Sequence, residues 1–178
     1  ADADVAALSS SRSGRNTDDA LAEGGVMFGA DPRLINEPAL RSLLLPSSTM
    51  HASAYGLATL YAALANRGAL ADGRRFLRAD TVDRFADAFA AACRATPDSL
   101  PFGFRPYALR QQGSTATPTA YAFGHAGLGQ LHAFADPSSG LAVACCVNTL
   151  ASTPTAAEDA IAFLVSELDL GVEVDFHT

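Results

Sequence analysis

Neither lysine nor tryptophan occurs in the 178 residues, so all 12 basic side chains are arginine. Against 19 acidic residues they leave a net charge of −7 and a pI near 4.9. A phosphate backbone is repelled by such a surface, which excludes nucleic acid as a partner. Long apolar runs are also missing. The longest, Leu141 to Val147, falls far short of a membrane span. The start, Ala1-Asp-Ala-Asp, has neither a basic nor an apolar leader region and so shows no signal peptide; the compartment stays open. Only three cysteines are present: Cys93, Cys145 and Cys146. An odd count with two adjacent residues is no disulfide framework, and they are expected as small buried hydrophobes. Neither His-Glu-x-x-His nor Cys-x-x-Cys occurs, so no metal site and no cofactor is expected. No Gly-x-Ser-x-Gly elbow is present either.

What remains is a folded, globular composition, 49% hydrophobic and 17% charged, long enough for one core but short for two domains. Residues 1–35 read as loop or linker and the start of a helical region, with Ser, Arg, Gly, Asn and Asp crowded between Val5 and Gly25. A short helix is expected over Glu37 to Leu44. Ser53 to Asn66 reads as a helix with Ser53 as N-cap, Leu57, Leu60, Tyr61 and Leu64 on one face, and Gly68 as left-handed cap. The next helix is expected from Asp80 as N-cap, through Val82, Phe85, Ala86 and Phe89.

From Pro101 the period changes. Phe102 to Leu109 predicts a strand that Pro106 confines to an edge or bulge. Tyr121 to Phe123, Leu131 to Ala135 and Leu141 to Val147 follow as strands, the last two joined by the turn Asp136-Pro-Ser-Ser-Gly140. Apolar on both faces, Leu141 to Val147 is expected inside the sheet. The closing helix has Thr153 as N-cap, Pro154 in its first turn, a stripe of Ile161, Leu164, Val165 and Leu168, and Gly171 at its end. The class is α+β: an antiparallel sheet over residues 102–148 with flanking helices, one of them packed across a face.

His125-Ala126-Gly127 lies in Tyr121-Ala-Phe-Gly-His-Ala-Gly-Leu-Gly-Gln-Leu-His-Ala-Phe-Ala-Asp-Pro-Ser-Ser-Gly140. This resembles the third active-site motif of the serine β-lactamase, penicillin-binding and esterase superfamily in its His-x-Gly form. His51-Ala-Ser-Ala-Tyr-Gly-Leu-Ala-Thr-Leu-Tyr-Ala-Ala-Leu-Ala-Asn-Arg-Gly68 is similar to a helix of that family. Phe102-Gly-Phe104 resembles the strand start before the motif, and Phe134-Ala-Asp-Pro-x-x-Gly-Leu-x-Val, ending at Asn148, the closing hairpin. The likeness runs from about Asn36 to Leu170, in order, and favours the class-C-like β-lactamases and related esterases.

The resemblance implies that residues 36–178 are the C-terminal part of a β-lactamase/transpeptidase-like domain. In that family a serine of Ser-x-x-Lys, helped by Tyr-x-Asn, attacks an ester or amide carbonyl. Neither motif is here: there is no lysine, and Tyr55, Tyr61, Tyr107 and Tyr121 are followed two places on by Leu57, Ala63, Leu109 and Phe123. The chain would supply the opposite wall of the cleft. The Leu128 backbone N–H would serve as oxyanion donor, and His125, Ala126 and Gly127 would bind substrate, with Gly127 keeping side chains off it. The implied partners are a small ester or amide in the complete enzyme and the missing N-terminal segment of the same domain. The other reading is a non-catalytic binding or regulatory domain of the same fold. His132 is expected packed or on the surface, His51 in a loop or cap, and His177 in the tail.

Overall fold

The computed structural model describes residues 37–44, 50–96, 99–111, 120–127, 131–148, 156–168 and 172–176. Five helical segments and five strands run in the order α1 (Pro38–Arg41), α2 (Ala54–Ala65), α3 (Ala79–Ala95), a 3-10 turn (Pro101–Gly103), β1 (Arg105–Gln111), β2 (Ala120–Gly127), β3 (Leu131–Asp136), β4 (Leu141–Cys145), α4 (Ala156–Glu167) and β5 (Val172–Asp175). The strands form one sheet, ordered β4-β3-β2-β1-β5, and every neighbouring pair is antiparallel. The α+β class expected from the periodicities is therefore present, with helices on both faces. Among the described residues no helix is long and apolar enough to cross a membrane.

Side-chain alternation along each strand divides the core in two. On one face Tyr107, Leu109, Ala122, Phe134 and Val143 meet Ile161 and Val165 of α4, together with Phe176. On the other, Phe123, Ala133 and Ala135 meet Tyr61 and Ala65 of α2 and Phe89 and Cys93 of α3. Phe85, Phe104 and Phe123 pack edge to face within this second layer, at ring separations of 4.8–5.5 Å, a geometry that aromatic quadrupoles favour.

The α2 helix starts as its sequence says it should. Ser53 is extended, and its hydroxyl accepts from Gly56 N–H at 3.1 Å. At its far end Arg67 takes the first left-handed position (φ 53) and Gly68 the second (φ 84). Gly68 N–H then reaches back to the Ala63 carbonyl, so the cap is shared between the two residues. Leu57, Tyr61 and Leu64 face the sheet as expected, whereas Leu60 is exposed.

Several expectations are corrected. The α3 helix is capped by Arg78 without a side-chain bond, and Asp80 sits inside its first turn. The Asp80 carboxylate is held by the Arg78 guanidinium at 2.9–3.0 Å and is not turned back onto the helix backbone. Phe102 belongs to the 3-10 turn with left-handed backbone (φ 55), so the strand begins at Arg105. β1 is central in the sheet, but β5 covers only Ala108 to Gln111, which leaves Pro106 on a locally unpaired side. β4 is an edge strand; its two apolar faces come from the helices above and below it. On α4, Ala157, Ile161 and Val165 are buried while Leu164 and Leu168 point outward. β5 has no counterpart among the expected strands. Cys93 is buried and Cys145 half-buried, but Cys146 is exposed. The linker before Gly25, the Thr153-Pro154 start, Gly171 and His177 lie outside the described residues.

Candidate functional site

β2 carries the His125-Ala126-Gly127 motif in its last three residues. It is placed by pairing with β3, His125 opposite Ala133, Ala126 opposite His132 and Gly127 opposite Leu131. Cross-strand partners share a face, so His125 stands on the α2 and α3 side with Ala133, and Ala126 on the α4 side. His125 is exposed, Ala126 buried and Gly127 half-buried. The structure thus brings the three motif residues to one end of β2, with the imidazole open to solvent. Leu128, the candidate oxyanion donor, lies outside the described residues.

Gly124 fixes the height of this strand. A Cβ there would come within 2.1 Å of the Ala133 carbonyl oxygen and 2.6 Å of Phe134 Cα. Gly127 is less constrained, since an added Cβ would stand 3.0 Å from Leu131 Cβ. Below His125 on the same face lies the aromatic layer of Phe85, Phe104 and Phe123. The β3–β4 turn beyond is closed around Asp136. Its buried carboxylate accepts from Ser138 N–H and Oγ at 2.9 and 2.6 Å, and from Ser139 N–H and Oγ at 3.2 and 2.5 Å. Gly140 leaves the turn with φ 76, and its N–H is bonded to the Asp136 carbonyl.

The other face of the sheet holds a polar group that sequence reasoning did not assemble. His132, expected packed or on the surface, is buried; its Nδ1 lies 3.2 Å from the Tyr107 hydroxyl and its Nε2 3.6 Å from Glu158. Alternation with Phe134 along β3 was the available signal, because it places His132 on a core face. Burial pushes the Tyr107 hydroxyl well above the ordinary phenol range. It likewise raises the Cys93 and Cys145 thiols, which suits packing and not nucleophilic attack. Among the described residues no group of three or more His, Cys, Asp or Glu side chains is placed to hold a metal ion. His51 is exposed ahead of α2.

Chemically, an exposed imidazole beside a glycine at a strand end can donate or accept a hydrogen bond to a small molecule lying along the strand. It has no serine-lysine pair beside it in this chain, so it can bind and orient but not supply the nucleophile. No protein-family model matches the chain, and neither the curated proteins nor the solved structures contain a match to it.

Proposed function

We propose that the chain is the C-terminal part of a β-lactamase-related serine hydrolase that cleaves esters or amides through an acyl-enzyme. Residues 36–178 then form the far half of a β-lactamase/transpeptidase-like domain, and the serine, lysine and Tyr-x-Asn tyrosine belong to a segment preceding it. The observation that carries this reading is His125-Ala126-Gly127 at the end of β2, followed directly by the β3–β4 hairpin of Phe134 to Asn148. His125 lines the cleft and Gly127 leaves room for the substrate. By the resemblance, the Leu128 N–H would be the donor to the developing oxyanion, a contribution of about 10²–10³ in rate for such donors.

The test is the sequence encoded upstream of Ala1. Ser-x-x-Lys followed roughly a hundred residues later by Tyr-x-Asn is expected, since nucleophile, base and tyrosine must all come from there. An upstream region in which the serine or the lysine is replaced would overturn the catalytic assignment and leave a binding domain of the same fold.

A further inference from the structure

We propose that Phe102 and Phe104 form an aromatic shelf beside His125 that selects esters or amides carrying an aryl group, which deepens the hydrolase reading and rests on one part of it, that His125-Ala126-Gly127 faces the substrate. The starting point is a residue type that its position disfavours. Phe102 has a left-handed backbone (φ 55, ψ 23), and Gly103 follows it at φ 79. Bulky side chains are rare in that region, because Cβ crowds the neighbouring carbonyl. The turn imposes it: Gly103 N–H donates to the Leu100 carbonyl and Phe104 N–H to the Pro101 carbonyl, both at 3.0 Å. Glycine at 102 would close the same turn without strain. Burial does not offset that strain, since Phe102 is 64% exposed. A phenylalanine disfavoured by both backbone and solvent points to a task for its ring.

The fold sets that turn beside the motif. Antiparallel pairing puts the start of β1 next to the end of β2, with Arg105 opposite Gly124. Phe104 is extended (φ −97, ψ 145), so the backbone running back from Arg105 brings it level with His125, about 5 Å away by the spacing of paired strands. Both side chains stand on the α2 and α3 side, Phe104 through its packing with Phe123 and His125 through its pairing with Ala133. From α3, Phe85 joins the rings, 5.4 Å from Phe104 and 5.6 Å from Phe102. Phe85, Phe104 and Phe123 are the better covered part of this aromatic group, and Phe102 is its exposed rim.

An aryl group is the chemistry that such a rim recognises. Phenyl edges are positive and phenyl faces negative, so one more ring adds to the group edge to face, as Phe85, Phe104 and Phe123 already do among themselves. A saturated ring of the same size covers the shelf but lacks that match. The His125 imidazole, one strand away, supplies a hydrogen bond to the polar end of the same molecule. With about 5 Å between neighbouring strands, a ring two or three bonds from the carbonyl reaches the shelf.

The test titrates N-benzylacetamide and N-(cyclohexylmethyl)acetamide into the 178-residue chain, which holds both the shelf and His125, and follows the binding by NMR. The benzyl compound should shift the His125 imidazole and the Phe102 and Phe104 rings, and its ring should show nuclear Overhauser contacts to Phe102. It should bind about fivefold more tightly than the cyclohexyl compound, the middle of the range for an aromatic pair beyond its buried area. Phe102→Gly should erase that preference while the urea midpoint stays level or rises, because the backbone strain is relieved. Equal binding of the two amides, no contact to Phe102, or an unchanged preference in Phe102→Gly would overturn the shelf. Should the variant lose its spectral dispersion, the Overhauser contacts in the unaltered chain decide. The shelf and the hydrolase fail separately. Aryl binding here with no serine or lysine encoded upstream would remove the hydrolase and keep the shelf, whereas Ser-x-x-Lys upstream with no aryl preference here would remove the shelf alone.

Discussion

Gly124 on β2 and Ala133 on β3 approach so closely that a Cβ at position 124 would stand 2.1 Å from the Ala133 carbonyl oxygen. That oxygen and Phe134 Cα at 2.6 Å are backbone atoms inside the sheet, and Phe134 Cβ at 2.5 Å is fixed to the same backbone, so none of the three has anywhere to go. The contact sets the spacing of the two strands one residue before His125. Gly124→Ala should therefore destabilise the fold by about 3 kcal/mol or more, the upper range for overpacking. Gly127→Ala meets Leu131 Cβ at 3.0 Å instead, a tight contact that a shift of a few tenths of an ångström relieves, and should cost about 1 kcal/mol. Urea unfolding of the two variants checks the contrast, and equal midpoints would contradict the register.

Asp136 closes the β3–β4 turn through four hydrogen bonds from Ser138 and Ser139. A buried carboxylate so surrounded is compensated locally, and its removal orphans two backbone donors. Asp136→Ala should cost about 2 kcal/mol, the range for hydrogen bonds to a charged group, partly relieved by water reaching the exposed serines. Asp136→Asn should cost less. A lowered urea midpoint with an unchanged slope is the expected signature.

The sequence made the helix α2, its Ser53 cap, three of the strands and the Asp136 turn legible, because each rests on local chemistry: a hydroxyl one turn before a free N–H, alternation, or a proline and a glycine at fixed turn positions. It misled where neighbours decide. Periodicity put Leu164 and Leu168 on a stripe, but the sheet reaches only Ala157, Ile161 and Val165. Two apolar faces on β4 read as an interior strand, yet the helices alone cover it. β5, four residues of Val-Glu-Val-Asp, is too short to announce itself and is created by pairing with β1. Of the candidate site, His125, Ala126 and Gly127 are brought together because they are adjacent on one strand. The Tyr107–His132–Glu158 group was not legible, since it joins three elements far apart in the chain.

On the outer face of α4, Phe163 is 67% exposed, Leu164 43% and Leu168 48%. The β4 edge, Leu-Ala-Val-Ala-Cys, carries no charge to discourage pairing. Both features favour association of the 178-residue chain. Sedimentation should show species larger than the monomer, shifting toward monomer when Phe163 and Leu168 are changed to serine. Little loss of stability should accompany the change, because neither side chain is in the core. A monodisperse monomer would mean that these surfaces need no cover.

The most direct measurement treats the 178-residue chain with a fluorophosphonate probe and a chromogenic ester, alone and with the upstream segment of its parent protein added. The chain alone should neither be labelled nor turn over ester, because activated nucleophiles supply several orders of magnitude of rate. With the segment present, a serine of that segment should be labelled and ester hydrolysed. Leu128→Pro, which removes the proposed oxyanion donor, should then lower the rate by about 10²–10³. Labelling of a serine within residues 1–178, or a two-piece enzyme indifferent to His125→Ala and Leu128→Pro, would contradict the account.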